Sequence, residues 1–102
     1  MLYFRSMKSS DALERHRADI RRIVQANRAR NPRVFGSVLH GDDTEDSDLD
    51  LLVDPTEQTS LFDIARLAIA LEELLGVTVD IVTPDGLRPR IQETVLREAV
   101  PI

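Results

Sequence analysis

Apolar residues recur every three to four positions in three segments of the chain, and this spacing predicts three helices. The first is predicted from Ser10 to about Arg30, with Asp11 and Glu14 at capping-box spacing at its start and Asn31-Pro32 after its end. The second follows Ser60, with Asp63 at the capping-box position, and ends at about Leu75, before Gly76. A third is predicted from about Pro89 to Ala99. The predicted core stripe of the second helix comprises Leu61, Ile64, Ala68, Leu71 and Leu75.

Three short segments rich in β-branched or alternating apolar residues predict strands. They are Arg33–Phe35, Asp48–Val53 and Val77–Val82, and the polar segment after Gly36-Ser37 is predicted to be a loop or a short helical turn. The element order is therefore helix, strand, turn, strand, helix, strand, helix. It predicts an α/β (α+β) fold in which helices flank a small mixed β-sheet.

The length and composition limit the class of protein. A chain of 102 residues suits one domain, which we expect to span residues 7–102, because Met1–Ser6 resembles an expression leader. Without cysteine the chain has neither a disulfide framework nor a thiol nucleophile, which favours a cytoplasmic location. No apolar stretch is long enough to cross a bilayer, so we expect no membrane association.

The charges are unevenly distributed along the chain, whose net charge is −5. Residues 1–33 have a net charge of +6, and residues 34–102 have a net charge of −11. The basic run is consistent with a patch for phosphates or an acidic partner, but the solvated face of a helix is the favoured interpretation. No aromatic residues alternate with its arginines, so direct binding to nucleic acid is not expected. The run comprises Arg15, Arg17, Arg21, Arg22, Arg28, Arg30 and Arg33.

Three aspartates are the strongest candidates for chemistry. Asp48 and Asp50 share one face of the second predicted strand, with Cα atoms roughly 6.5–7 Å apart. Asp80 interrupts the otherwise apolar third strand. If these two strands pair, three carboxylates converge, and their repulsion calls for a cation. Carboxylate oxygens without histidine or cysteine select Mg²⁺ or Mn²⁺, and three of them suit a two-ion centre for phosphoryl transfer.

Two other interpretations of the acidic segment are an EF-hand and a solvated loop. An EF-hand starting at Asp42 requires glycine at position 47 and glutamate at position 53, where this chain has Ser47 and Val53. The EF-hand is therefore excluded. A solvated loop accounts well for the acidic residues that precede Asp48. These are Asp42, Asp43, Glu45 and Asp46.

Gly36-Ser37 is a candidate phosphate cradle, because glycine allows close approach of the backbone and exposed N–H groups donate to phosphate. Ten residues separate Ser37 from Asp48. With this spacing, about residues 33–83 resemble the minimal nucleotidyltransferases (MNT) of the DNA polymerase β superfamily. The matching positions are Gly36, Ser37, Gly41, Ser47–Val53 and Val79–Val82.

The resemblance implies a nucleotidyltransferase palm-like fold and assigns roles to eight residues. Asp48, Asp50 and Asp80 correspond to the catalytic carboxylates that hold two Mg²⁺ ions. Many relatives have arginine where this chain has His40, a weaker partner for phosphate because it is mostly neutral at pH 7. The positions implied to bind the nucleoside triphosphate are Gly36, Ser37, His40, Gly41 and Ser47.

The resemblance extends to a biological role. The chain is similar to the antitoxin of HEPN–MNT toxin–antitoxin pairs, which transfers AMP from ATP to a tyrosine of the HEPN toxin. It therefore implies an adenylyltransferase that silences a HEPN-type partner. Two alternatives stay open. The first is an antitoxin that neutralises its partner by binding alone, which the replacement of arginine by His40 suggests. The second is a nucleotidyltransferase acting on a small molecule such as an aminoglycoside.

Overall fold

The computed structural model describes residues 8–44 and 46–102, so the predicted leader Met1–Ser6 lies outside the described residues. A 3-10 turn, Pro84–Gly86, separates the third strand from the last helix. The helices and strands, in chain order, are α1 (Ser9–Arg15), α2 (Arg17–Ala26), β1 (Ala29–Phe35), α3 (Ser37–His40), β2 (Leu49–Pro55), α4 (Leu61–Leu75), β3 (Val79–Val82), α5 (Pro89–Glu98) and β4 (Val100–Pro101).

The strands form a mixed four-stranded sheet in the order β3-β2-β1-β4. β2 and β3 are parallel, and β1 is antiparallel to both β2 and β4. The predicted α+β fold with a small mixed sheet is therefore confirmed. The prediction lacks β4, because two residues that include a proline carry no strand signal of their own. This short strand exists through its pairing with Arg33 and Val34.

The prediction of one continuous first helix is wrong. The chain breaks at His16 (φ −123°, ψ 23°), and the second half ends at Ala26 rather than near Arg30. An unbroken helix of the predicted length would be about 30 Å long, whereas the break lets α1 and α2 each bury apolar side chains in the core. A left-handed turn at Arg28 (φ 64°) then leads into β1, which begins at Ala29, earlier than predicted.

Helix α4 begins as predicted but buries a different face. The Asp63 N–H donates to Ser60 Oγ and the Ser60 N–H donates to Asp63 Oδ2, which completes a capping box. Gly76 ends the helix in the left-handed conformation. Leu67 is fully buried, whereas Leu61, assigned to the core stripe, is 88 % exposed. Apolar residues occupy more than one side of this helix, so their spacing alone does not identify the buried side.

The two faces of β2 differ: one carries only the apolar residues Leu49, Leu51 and Val53, and the other carries Asp50 and Asp54 with the buried Leu52 between them. Leu49, Leu51 and Val53 are fully buried in the core with residues of α2 and α4. Side chains alternate between the faces of a strand, so Asp50 projects from the other face of the sheet. Burial of the three apolar residues therefore fixes the orientation of the intervening aspartate.

The corrected face of α4 gives a stability prediction. We expect Leu67→Ala to lower the free energy of unfolding by about 2–5 kcal/mol, because it leaves a cavity in the core. The matched control Leu61→Ala removes the same atoms from an exposed position and is expected to change the free energy by less than about 0.5 kcal/mol. Denaturant unfolding of both variants is the measurement, and equal losses would contradict the observed orientation of α4.

Candidate active site

The parallel register of β2 and β3 places two of the predicted catalytic carboxylates side by side. Asp50 is paired with Asp80 in this register, so their side chains share one face of neighbouring strands, whose spacing is about 4.8 Å. Asp48 lies just before β2 and is exposed. Its charge is close enough to raise the pKa of Asp50. The predicted pairing of the two acidic strands is therefore present.

Gly36 lies directly against the side chain of Asp50. The antiparallel register pairs Phe35, the last residue of β1, with Asp50, and Gly36 follows with a φ of 76°. A Cβ atom at position 36 would overlap Asp50 Oδ2. Glycine is thus required here both by its backbone conformation and by the carboxylate packed against it.

The carboxylate of Asp50 is in an unfavourable environment when ionised. Partial burial raises the pKa of Asp50, and the neighbouring charges of Asp80 and Asp48 raise this pKa further, to about 6. A bound cation would relieve both penalties, because it replaces lost solvation and offsets the repulsion between carboxylates. The electrostatics of the site therefore fit a hard divalent cation.

The acidic site is open. Within residues 8–44 and 46–102, no three histidine, cysteine, aspartate or glutamate side chains already converge closely enough to hold a metal ion. Asp50 is partly buried, whereas Asp48 and Asp80 are exposed. The predicted convergence of three carboxylates is therefore not observed: the structure shows the pair Asp50 and Asp80, with Asp48 just before β2. The donor chemistry of these residues fits Mg²⁺ or Mn²⁺.

The residues predicted to bind the triphosphate are divided between two loops. Ser37 to His40 form the single turn α3, which begins directly after Gly36, and Gly41 ends it with a φ of 74°. Nothing lies within 4 Å of the position that a Cβ of Gly41 would occupy, so this side of the turn is open. Ser47 is on the other loop, where its hydroxyl accepts a hydrogen bond from the Thr44 N–H (2.8 Å).

His40 has a partner that the sequence does not indicate. Its Nε2 lies 3.4 Å from a carboxylate oxygen of Glu98, at the end of α5. Both side chains are exposed. The two residues are distant in sequence and no motif connects them, so only the fold brings the last helix to the turn that follows Gly36.

One residue of the predicted solvated loop has a structural role instead. Asp43 is buried and its Oδ2 accepts a hydrogen bond from the Ser10 N–H (3.0 Å). Desolvation raises the pKa of Asp43, but the hydrogen bonds of its carboxylate with Ser10 and with its own backbone, together with the charge of Lys8, hold this pKa below its usual value. Asp43 thus stabilises the start of α1, where the capping box predicted from Asp11 and Glu14 is not observed. Asp42 and Asp46 are exposed, as predicted.

Much of the basic run is paired within the chain. Five of its seven arginines contact acidic side chains or a carbonyl, which favours a structural role over a phosphate-binding patch. The pairs are Arg17 with Glu14, Arg22 with Asp19, Arg28 with Asp63, Arg33 with Asp54, and Arg21 with the Ile102 carbonyl.

Comparison with known families shows which family the chain belongs to. The nucleotidyltransferase domain family matches residues 10–102. The chain belongs to this family. A nucleotidyltransferase is an enzyme, and the resemblance found in the sequence is thereby confirmed. In the described residues, no helix of this nucleotidyltransferase is long and apolar enough to span a membrane.

Two relatives of the nucleotidyltransferase are named protein adenylyltransferases. MntA of Thermococcus cleftensis is 49 % identical over 67 residues, which are 66 % of this chain and 68 % of MntA. MJ0435 of Methanocaldococcus jannaschii is 36 % identical over 80 residues, which are 78 % of this chain and 86 % of that protein.

Solved structures show the same fold. A structure described as a minimal nucleotidyltransferase is 50 % identical with a TM-score of 0.82, over 91 % of this chain and 95 % of that one. A toxin–antitoxin structure with AMP-PNP is 18 % identical with a TM-score of 0.68, over 91 % of this chain and 71 % of that one. An MntA–HepT toxin–antitoxin structure is 18 % identical with a TM-score of 0.65, over 86 % of this chain and 69 % of that one. The last two likenesses concern the fold alone.

The raised pKa of Asp50 predicts a pH-dependent stability. This pKa is about 6 in the folded chain and about 3.9 in an unfolded one, so the native state keeps a proton that the unfolded state loses between these values. Stability therefore falls as the pH rises through 6. Asp50→Asn removes this penalty, so at pH 8 we expect it to be more stable than the wild type by about 1–2 kcal/mol, a value reduced for the partial solvation of the side chain.

Chemical denaturation at pH 8 and at pH 4 measures this difference, which we expect to disappear largely at the lower pH. Asp42→Asn is the matched control, because it removes an exposed aspartate of the same acidic segment and is expected to have little effect at either pH. An Asp50→Asn variant that is equally stable or less stable than the wild type at pH 8 would contradict the electrostatic description of the site.

Proposed function

We propose that this nucleotidyltransferase transfers AMP from ATP to a hydroxyl group of a protein partner, a tyrosine of a HEPN-type toxin, and thereby acts as an antitoxin. Two relatives with matching sequence are named protein adenylyltransferases. Chains with the same fold occur in solved toxin–antitoxin structures, one of which contains AMP-PNP. The absence of cysteine and the need for ATP both favour a cytoplasmic location.

This proposal rests mainly on one observation: Asp50 is paired with Asp80 on the neighbouring strand, and its side chain packs against Gly36. A site that moves a nucleotidyl group must stabilise negative charge on phosphate, and it must leave space for the phosphate beside its acidic residues. The carboxylate pair supplies the first through cations, and Gly36, which has no side chain, lets the Asp50 carboxylate lie directly against the turn predicted to bind the phosphates. No comparable arrangement exists elsewhere among the described residues of this chain.

We assign the two Mg²⁺ ions to Asp48, Asp50 and Asp80. When bound, these ions neutralise the phosphate charge and stabilise the attacking and leaving oxygens. The backbone N–H groups after Gly36 and the Ser37 hydroxyl orient the triphosphate, and His40 and Gly41 border it. Ser47, which closes the turn from Thr44, positions the acidic loop.

In the proposed reaction, the hydroxyl oxygen of the acceptor forms a bond to the α-phosphorus, and the bond from that phosphorus to the bridging oxygen of pyrophosphate breaks. Pyrophosphate leaves with the electron pair of this bond. Asp80 is exposed on the open face of the sheet, where a macromolecular acceptor has access, and accepts the hydroxyl proton. The acceptor thus becomes a phosphodiester of AMP.

One observation favours the alternative of an antitoxin that acts by binding alone. His40 replaces the arginine of many relatives, and its imidazole already contacts Glu98. A turn with histidine in place of arginine binds a triphosphate less tightly, which favours slower transfer of AMP. Nothing in the described residues specifically favours a small-molecule acceptor.

Label transfer from α-phosphate-labelled ATP tests the proposal. We expect the wild type with Mg²⁺ to label one protein in a lysate of the source cells, and Asp48→Asn/Asp50→Asn to lower the rate by at least about a thousandfold, because it removes carboxylates that only the charged transition state requires. Asp42→Asn/Asp46→Asn is the matched control, since it removes two charges from the same segment and is expected to retain activity.

Three outcomes of this assay are informative. Activity that is lost only in the first double variant supports the enzyme. Equal activity of both double variants and the wild type contradicts the assignment of the aspartates. Failure of the wild type to label any protein, while wild type and Asp48→Asn/Asp50→Asn neutralise the partner equally, supports binding alone.

Thermal unfolding with and without Mg²⁺ tests the cation without requiring an acceptor. We expect millimolar Mg²⁺ or Mn²⁺ to raise the Tm at pH 8, and to raise it much less at pH 5, where Asp50 (pKa about 6) is mostly protonated. Asp50→Asn is expected to lose most of the shift and Asp42→Asn to retain it. An equal shift in all three proteins would show that the ion binds elsewhere.

A further inference from the structure

Asp48 lies outside the sheet that fixes the other two carboxylates. Asp50 and Asp80 are register partners within β2 and β3, whereas Asp48 precedes the first residue of β2 and is exposed. On the C-terminal side of Asp48 the chain is fixed by the sheet, because the Leu49 N–H donates to the Thr78 carbonyl (2.8 Å). The position of Asp48 therefore also depends on what holds the chain on its N-terminal side.

A buried hydroxyl group at the start of α1 holds that side. Ser9 is fully buried, and its Oγ donates to the Ser47 carbonyl (2.7 Å). This carbonyl belongs to the peptide group that joins Ser47 to Asp48, and a peptide group is planar. The hydrogen bond therefore restrains the plane that leads into Asp48. Because Ser9 and Ser47 are 38 residues apart, the sequence does not indicate this contact.

A second contact attaches the same segment to α1. Asp43 is buried, and its Oδ2 accepts a hydrogen bond from the Ser10 N–H (3.0 Å). Between these two attachments, the Thr44 N–H donates to the Ser47 Oγ (2.8 Å) and closes a turn. The segment is thus bonded to neighbouring residues of α1 at both of its ends, Asp43 and Ser47.

Helix α1 is a fixed support for these contacts. Ala12 is fully buried and Leu13 is 3 % exposed, and both belong to the hydrophobic core with residues of α2 and α4. A helix of seven residues is too short to be stable alone in water, so its packing in the core determines where its start lies. The core therefore determines, through α1, the position of the segment that leads to Asp48.

We propose that Ser9 and Asp43 are positioning residues for Asp48, which they hold at the edge of the Asp50–Asp80 pair so that its carboxylate joins that pair in binding Mg²⁺. This inference rests on the proposed function and deepens it, because it names the residues that arrange the assigned Mg²⁺ site. Both residues act through the main chain that leads to Asp48. A ligand that is held in place before the ion binds loses less conformational freedom on binding, which increases the affinity for the ion.

A purely structural role of these contacts predicts a different result. Loss of a buried hydrogen bond lowers the free energy of unfolding wherever the bond lies, but only a contact that positions Asp48 changes the affinity of the folded protein for Mg²⁺. Val24→Ala shows the effect of lower stability alone. Val24 is fully buried and lines a groove with Ala29, at the end of β1 opposite to the one that pairs with Asp50.

Titration with magnesium chloride, without nucleotide, tests the proposal. The Mg²⁺ concentration at half-saturation is measured at pH 8 from the shift of the Asp50 amide resonance, and the free energy of unfolding is measured by denaturation of the same variants. We expect Ser9→Ala to bind Mg²⁺ about tenfold more weakly, as for residues that orient metal ligands, although it removes only a neutral hydroxyl group. Asp43→Ala is expected to weaken binding similarly. The matched control Asp42→Ala removes a neighbouring exposed carboxylate and is expected to weaken binding by less than about threefold.

Weaker Mg²⁺ binding by Ser9→Ala and Asp43→Ala, with unchanged binding by Val24→Ala, supports the positioning role. Mg²⁺ binding by Ser9→Ala that equals that of the wild type, or binding by Asp43→Ala that equals that of Asp42→Ala, overturns it, because the contacts then serve stability alone.

Asp48→Asn separates this inference from the proposed function. If Asp48→Asn weakens Mg²⁺ binding and Ser9→Ala does not, the positioning role fails and the assigned Mg²⁺ site stands. If both variants weaken Mg²⁺ binding but the wild type transfers no AMP, the positioning role stands and the proposed transfer fails. If Asp48→Asn binds Mg²⁺ as the wild type does, the positioning role is overturned together with the assignment of Asp48 to the ion.

Discussion

The main physical constraint on this structure is that the fold must hold two carboxylates next to each other against their mutual repulsion. Asp50 and Asp80 are register partners on adjacent parallel strands, and neither can move away without disturbing the sheet. The opposing free energy comes from the other face of the same strands, where Leu49, Leu51 and Val79 are buried. Burial of these side chains stabilises the fold by about 1.5–3 kcal/mol each, which exceeds the cost of the shifted pKa at Asp50. The hydrophobic core thus maintains a site that is electrostatically unfavourable without a cation.

Much of the fold follows from local sequence. The β-branched run around Val79, the capping box at Ser60 and Asp63 and the left-handed Gly76 are observed where the pattern predicts them. The failures concern properties that local pattern does not determine. The break at His16 depends on how far the core extends, the short β4 depends on an available edge of β1, and the buried side of α4 depends on what packs against it.

The proximity of the predicted site residues follows from the pairing of the strands that carry them. Gly36 and Asp50 come together because β1 and β2 pair with Phe35 opposite Asp50, although the connection between these strands includes α3. The burial of Leu49, Leu51 and Val53 specifies the face on which Asp50 lies. Asp80 follows from the alternation of one strand. By contrast, two contacts join segments that are distant in sequence, and no sequence motif indicates them. They are the contact of His40 with Glu98 and the hydrogen bond from the Ser10 N–H to Asp43. These contacts join α5 to α3 and the start of α1 to Asp43 in the segment that follows α3.

The most direct test of the account is the titration of the Asp50 carboxyl group by nuclear magnetic resonance, in the absence and presence of Mg²⁺. The account predicts a pKa of about 6 for Asp50 without the ion and a clear decrease of this pKa when Mg²⁺ is added, because the cation stabilises the ionised carboxylate. An Asp50 pKa that is unchanged by millimolar Mg²⁺ would contradict the central claim that this aspartate pair is a cation-dependent site for nucleotidyl transfer.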